Sequence, residues 1–306
     1  MIHAERLRLN HRPPGPDPGG KENPMRKRIT AILPLLLFLI GLSLLLYPTV
    51  SNYINQKNAT RAIVGYDRQV SDMDSEENRR LRTQAQEYNQ ALLSREYRFL
   101  LTEEQWAEYE GTLDVTGTGI MGYLDIPQLG VSLPIYHGTD EGVLQIGVGH
   151  IEGSSLPVGG ESTHAVLSGH RGLPSARLLT DLDRMKVGDL FYLHVLGDTL
   201  AYEVDQIVTV LPDELEELAI QEGEDLCTLV TCTPYGVNSH RLLVRGHRVA
   251  MPEPNVGSGT AAAVEEHNNA LPIPLLIIGA VVLTTAAAGW YQVRFRPKGK
   301  RKKPGK

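Results

Sequence analysis

Two cysteines are the only thiols in this chain of 306 residues, and one of them lies where a strand is expected to end. Cys232 closes an apolar, β-rich run, TLVTC, and a Thr-Pro-Tyr-Gly turn follows. Arg241 opens a second apolar run nine residues later, and the segment SGHRGLP places His170 at the end of another strand-like run. Strand ends that are distant in sequence can meet in a folded sheet. A thiol, an imidazole and a guanidinium that meet in this way can perform acyl transfer.

Each of these groups has its own chemical task. The thiolate is the attacking species, and a nearby imidazole and guanidinium both favour it over the thiol. His170 can protonate the amine that leaves when a peptide bond is cleaved, and can later act as base for an incoming amine. Arg241 carries a permanent charge, so we expect it to orient the substrate and stabilise an oxyanion. Thr231, or the backbone beside Cys232, could supply a further hydrogen-bond donor.

The second cysteine, Cys227, belongs to the same predicted strand as Cys232. The two are an odd number of residues apart, so their side chains point to opposite faces of the strand. This geometry disfavours a disulfide between them. We therefore interpret Cys227 as a small buried hydrophobic residue and Cys232 as the reactive thiol.

Bulk properties exclude several other functions. The formal net charge of −6 argues against nucleic acid as the main partner. The remaining histidines show no metal-ligand spacing, and no glycine-rich motif that would cradle a phosphate is present. The sequence therefore predicts neither a metal nor a cofactor.

Two uncharged apolar segments, residues 29–50 and 271–291, are long enough to cross a bilayer. Basic residues precede the first and follow the second, so both termini are expected to be cytoplasmic and the region between the segments extracellular. A cleaved signal peptide is the alternative for the first segment, but its apolar core is long and no clean A-x-A site follows. A wall-sorting signal is the alternative for the second, but no LPxTG-like motif precedes it. Residues 1–28 and 292–306 are then cytoplasmic tails, and residues 251–270 form a linker.

The extracellular region divides into two parts. Residues 51–118 are polar with apolar residues at helical spacing, which predicts two or three helices, one capped by Thr102. Residues 119–250 contain short β-rich runs broken by Gly and Pro, which predicts a closed or nearly closed barrel. The predicted strands are residues 120–126, 131–136, 164–168, 190–196, 201–211, 226–231 and 241–249. Smaller predictions are a hairpin turn at Gly197-Asp198, a short helix at 178–185, and a solvated loop or short helix at 213–225.

The catalytic segments resemble those of the sortases, and most closely the class C, pilus-assembling sortases. The resemblance covers residues 120–250 and includes GYLDIP, LPIYHG, GVGHIEGSSLPVGG, HVLGDTLAYEVDQI and CTPYGVNSHRLLVRGHR. It implies a mainly β fold: an eight-stranded sortase barrel preceded by helices. The two flanking membrane anchors are also similar to the class C arrangement.

The resemblance further implies cysteine transpeptidation at the surface of a Gram-positive cell. Cys232 would attack the Thr–Gly carbonyl of an LPxTG-type sorting signal, and a lysine amine of another pilin subunit would resolve the thioester. By motif match, His170 is the catalytic histidine and Arg241 the catalytic arginine. The partners implied are pilin subunits or surface proteins that carry such signals.

Other readings remain open at this point. A sortase that anchors proteins to the peptidoglycan precursor would use the same residues, and a cysteine hydrolase would differ only in using water. A barrel that binds a surface ligand without catalysis is the non-enzymatic alternative. Class C sortases often carry an Asp-Pro-aromatic lid, and residues 53–119 contain no such tripeptide. Trp106 or Tyr109 could take a covering role instead.

Overall fold

The computed structural model describes residues 24–252 and residue 279, and its described helices lie mostly before the barrel. The helices are α1 (Pro24–Asp72), α2 (Ser75–Leu92), α3 (Glu103–Gly111) and the short α4 (Glu141–Leu144). Single 3₁₀ turns span Pro127–Leu129, Leu182–Arg184 and Glu216–Leu218. The chain forms two compact units, Met1–Leu46 and Tyr47–Lys306.

The apolar N-terminal segment is helical, as expected. A stretch of α1, Leu36–Asp72, is long and apolar enough to cross a membrane. The mean hydropathy of its most apolar part is 1.6, and none of that part is buried. Large apolar side chains along this part of α1, such as Leu37 and Leu44, are exposed, as suits a lipid environment. The second expected span, residues 271–291, lies outside the described residues except for residue 279.

Eight strands close into one barrel in the order β1-β2-β3-β4-β7-β8-β6-β5. Two neighbouring pairs, β2–β3 and β4–β7, are parallel, and the other pairs are antiparallel. The strands are β1 (Ile120–Ile126), β2 (Val131–His137), β3 (Val148–His150), β4 (Thr163–Ser168), β5 (Leu190–Val195), β6 (Asp198–Val210), β7 (Asp225–Thr233) and β8 (His240–Val249).

All seven strands predicted from the pattern are present, and the eighth is β3. Its three residues, Val-Gly-His, are too few to show an alternating pattern, which explains why the sequence analysis missed it. The helix predicted at 178–185 is wrong, because only Leu182–Arg184 forms a 3₁₀ turn. Leu178 has a φ of 40°, which no right-handed helix tolerates.

The hairpin between β5 and β6 turns one residue earlier than predicted. Val195 pairs with Asp198, so Leu196 and Gly197 occupy the turn. Their φ angles are 51° and 84°, which is the pattern of a type I′ turn. Glycine meets this requirement without strain, whereas the pattern alone did not indicate that a leucine would adopt it.

The preceding helices pack on the barrel and share its main core. Asp74 caps α2 by accepting from the backbone amides of Glu76 and Glu77, and Thr102 with Gln105 forms a capping box on α3, as expected. Asn89 of α2 is buried and makes two hydrogen bonds with the backbone of Leu156, 2.7 and 3.1 Å long. These bonds tie α2 to the loop between β3 and β4.

Two histidines, His150 and His164, are fully buried, and both are hydrogen-bonded to other polar groups. His164 donates from Nδ1 to the carbonyl of Ala219, and its Nε2 lies 2.7 Å from the Thr228 hydroxyl. His150 similarly bonds to the carbonyl of Ser155 and to the Tyr109 hydroxyl. Burial lowers the pKa of both histidines to about 4, because desolvation penalises the charged ring.

These two histidines should make the barrel acid-sensitive. The unfolded chain binds a proton at each site below pH ~6.5, whereas the folded chain resists protonation until pH ~4, so stability falls as pH falls through this window. Each site should cost roughly 3 kcal/mol between pH 7.5 and pH 4. Urea unfolding followed by near-UV circular dichroism measures the loss. His164→Gln should reduce the pH dependence, and an unchanged dependence would contradict this account.

Candidate active site

The register of β7 places Cys232 between its two proposed partners. On one side, Cys232 pairs directly with Arg241 of β8 in the antiparallel ladder. On the other side, Ser168 of β4 pairs with Val230 in the parallel ladder, and the amide of residue 169 donates to the Val230 carbonyl at 3.0 Å. His170 follows Ser168 by two residues, so it lies on the loop that leaves β4 at the same end of the ladder at which Cys232 follows Val230. The three side chains predicted from the sequence are therefore brought to one end of the barrel.

The two cysteines occupy different environments, as the spacing predicted. Cys227 has no exposed surface and belongs to the core inside the barrel, whereas Cys232 is partly exposed, and both thiols are free. Burial raises the pKa of the Cys227 thiol well above its usual value. Cys227 is therefore chemically inert, and Cys232 is the accessible thiol.

Thr231 faces away from Cys232 and has a structural contact. Its side chain is buried, and its hydroxyl donates to the carbonyl of Gly169 at 2.7 Å. That bond joins β7 to the residue immediately before His170. The proton of the Thr231 hydroxyl is thus already committed, and the contact serves to hold the histidine loop against the cysteine strand.

His170 lies on the loop after β4, and that loop is fixed to the β7–β8 turn. Arg171 donates to the Thr233 hydroxyl at 3.2 Å and also pairs with Asp183. Gly172 has a φ of 81°, and a Cβ at this position would lie 3.0 Å from the ring of Tyr235. The two loops that carry the histidine and follow the cysteine therefore contact each other closely.

The Arg241 side chain is partly exposed. Within residues 24–252 its Nη1 atom donates to the carbonyls of Asn238 and His240, at 3.3 and 3.2 Å. Two backbone carbonyls hold the side chain without neutralising its charge. Its remaining N–H groups can then meet the developing charge on a carbonyl oxygen.

The face that carries Cys232 is apolar and covered. Val230 lies two residues before Cys232 on the same face, and it clusters with Val166, Leu218 and Leu243. Phe99, from the connection between α2 and α3, packs against this cluster, and the Arg98 guanidinium beside it donates to the Leu218 carbonyl. The cover is thus made by a segment that sequence reasoning did not single out.

The two aromatic residues considered for a covering role both pack on the main core. Tyr109 has no exposed surface, and its hydroxyl accepts from the amide of Gly138 at 2.9 Å. Trp106 packs, partly buried, against the same main core. Both residues stabilise the packing of α3 against the barrel. Among the described residues no group of three His, Cys, Asp or Glu side chains could hold a metal ion.

Sequence reasoning also missed the polar residues that support the histidine. Glu141 at the start of α4 lies 3.5 Å from His170 through its Oε2 atom. Two asparagines of α1 bond to the backbone near this pair. Asn52 accepts from the amide of Arg177, and Asn55 donates to the carbonyls of Gln145 and Ser175. No local motif marks these residues, because their contacts arise from segments far apart in sequence.

Comparisons with known proteins identify one family. A family model described as the sortase domain matches residues 124–249. Sortase C1 from Streptococcus agalactiae is 51% identical, with a TM-score of 0.61, over 63% of this chain and 100% of that one. Sortase C from Streptococcus pneumoniae is 49% identical, with a TM-score of 0.57, over 63% and 99% of the two chains. Sortase A from Bacillus anthracis is 27% identical over 73% of this chain and 96% of its own length.

The contrast between the two thiols gives a direct prediction. In the folded full-length chain, iodoacetamide should alkylate Cys232 at least about 100-fold faster than Cys227, because Cys227 must wait for local opening of the barrel. Peptide mapping by mass spectrometry separates the two sites. In urea the two rates should become similar. Equal rates in the folded protein would contradict the assignment of Cys227 to the core.

Proposed function

Because this chain belongs to the sortase family of cysteine transpeptidases, we propose that Cys232 cleaves an LPxTG-type sorting signal and passes the acyl group to a pilin lysine. The observation that carries this proposal is the register that sets Cys232 opposite Arg241, at the end of the barrel where the loop carrying His170 begins. That arrangement supplies a nucleophile, an acid/base and an oxyanion partner at one point. In this proposal all three act as catalytic residues.

The first half of the reaction forms a thioester. The Cys232 thiolate attacks the Thr–Gly carbonyl carbon, and the charge that develops on oxygen meets the planar donors of Arg241. His170 gives a proton to the glycine nitrogen as the C–N bond breaks. The fragment beginning with glycine leaves with a free amine, and the fragment ending in threonine remains on sulfur.

The second half transfers the acyl group. A lysine ε-amine attacks the thioester carbonyl, and His170, now neutral, accepts the proton that this amine loses. The C–S bond breaks, an isopeptide bond has formed, and Cys232 returns as the thiolate. The enzyme ends in the protonation state in which it began.

The choice of a pilin as acceptor is supported by the relatives. The class C enzymes of S. agalactiae and S. pneumoniae are each about half identical to this chain, and the S. pneumoniae structure is described in terms of pilin substrate specificity. The apolar cluster beside Cys232 has the chemistry that the Leu-Pro part of such a signal requires. The long apolar helix α1 is consistent with a membrane-held enzyme. We propose the two-pass arrangement, with the catalytic domain outside the cell and both termini cytoplasmic.

Product analysis with competing acceptors tests the proposal. The full chain in detergent is given an LPxTG peptide together with a lysine-containing pilin peptide and a peptidoglycan-precursor amine. The proposal predicts an isopeptide product on the lysine, identified by tandem mass spectrometry. Cys232→Ala should lower the rate by at least about 1,000-fold, whereas Cys227→Ala should retain it and cost about 1 kcal/mol of stability.

Each other product favours a different function. Transfer to the precursor amine alone would identify a wall-anchoring sortase, and free acid alone would identify a hydrolase. Equal turnover by Cys232→Ala would remove the thiol from the mechanism altogether.

A further inference from the structure

A carboxylate on a separate segment reaches the histidine of the proposed active site. Glu141 is the first residue of α4, between β2 and β3, whereas His170 follows β4. The Oε2 atom of Glu141 lies 3.5 Å from Nε2 of His170, a separation typical of an ion pair rather than a hydrogen bond. Nε2 is buried and has no hydrogen-bond partner among the described residues. The carboxylate is therefore the polar group placed to interact with that nitrogen.

The carboxylate is held by a neighbour. The other oxygen of Glu141, Oε1, accepts from Nε2 of Gln145 at 2.9 Å. This hydrogen bond, followed by the interaction with His170, lowers the pKa of the Glu141 carboxyl. Glu141 is consequently ionised at neutral pH, and one of its two oxygens is restrained to face the imidazole.

Helix α1 joins the two segments that carry this pair. The Asn55 side chain donates to the carbonyl of Gln145 at 3.2 Å and to the carbonyl of Ser175 at 3.4 Å. Asn52, one turn earlier, accepts from the amide of Arg177 at 2.8 Å. One end of this bridge lies next to α4 and the other lies on the loop that begins with His170. The contact between Glu141 and His170 is thus supported by two side chains of α1, Asn52 and Asn55, and by Gln145 at the end of α4.

The other charged groups around His170 are already engaged or have different tasks. Arg171, the next residue, is paired with Asp183. Asp181 pairs with Arg177 on the same loop. From β7 and β8, Cys232 and Arg241 pair with each other across the ladder and are the catalytic groups of the proposed function. Glu141 is the carboxylate that contacts the imidazole in the described part of the chain.

We infer that Glu141 is a positioning residue that orients the His170 ring and sets a negative charge beside it during acyl transfer. This inference rests on the proposed function, in which His170 must carry a proton to the leaving amine. A negative charge beside the imidazole stabilises the imidazolium and the ion pair that it forms with a thiolate. Because Glu141 does not touch the reacting atoms, it acts only through the histidine.

Glu141→Gln tests the role of the charge in the full chain, and Asp140→Asn is the matched control. Asp140 is exposed, adjacent in sequence and bears the same charge, and its side chain makes no cap bond on α4. With an LPxTG peptide, Glu141→Gln should lower kcat about 3–10-fold with KM changed by less than about 2-fold. The alkaline limb of its pH–rate profile should move down by about 0.2–0.7 pH unit. Glu141→Asp should recover part of kcat, and Asp140→Asn should match the parent.

The pH dependence of Cys232 alkylation by iodoacetamide gives a second readout that needs no sorting signal. The midpoint of this dependence should shift to higher pH in Glu141→Gln, because the thiolate loses part of the support of the imidazolium, and should remain unchanged in Asp140→Asn. If the parent chain fails to turn over the peptide, the proposed function fails, while the alkylation profile still decides the role of Glu141. Unchanged profiles in Glu141→Gln, a rise in kcat, or equal effects in the two variants would overturn the inference.

Discussion

The position of β7 between β4 and β8 is the constraint on which the rest of the site depends. Its parallel register with β4 sets where the loop carrying His170 begins, and its antiparallel register with β8 sets Arg241 opposite Cys232. A slip of one residue in either ladder would move Cys232 to the interior face and Cys227 to the outer face. The buried residues of β7, with Leu229 inside and Val230 outside, oppose such a slip from both faces. The packing of the barrel thus specifies the chemistry at its end.

The loops and helices around this ladder hold the histidine loop in place at the end of the barrel. Two hydrogen bonds fix the histidine loop to the end of β7. Thr231 donates to the carbonyl of Gly169, and Arg171 donates to the hydroxyl of Thr233. Both bonds form because the register of β4 and β7 brings these residues together. Asn55 and Glu141 then approach the same loop from α1 and α4. Because α1 also contains the apolar stretch suited to a membrane, the helix that would anchor the enzyme is continuous with the one that braces its loop.

The sequence predicted regular elements well and tertiary contacts poorly. Alternation, turn residues and the cysteine spacing were enough for seven strands, the opposite faces of Cys227 and Cys232, and the capping box at Thr102. They were not enough for β3, which is too short to show a period, or for the segment after Leu178, whose left-handed backbone prevents a helix. The contact of Glu141 with His170 was also not predictable, because it depends on how two distant loops pack. The covering role of Phe99 was missed for the same reason, since an aromatic residue in a polar connection carries no local signal.

Intact-mass spectrometry of the full chain with an LPxTG peptide tests the central claim most directly. The account predicts a mass increase equal to the peptide fragment that ends in threonine. Tandem fragmentation should locate it on Cys232, and hydroxylamine should release it as a thioester would be released. An adduct on Cys227, or the absence of any adduct in folded chain whose Cys232 still reacts with iodoacetamide, would contradict the claim that this register assembles a working transpeptidase.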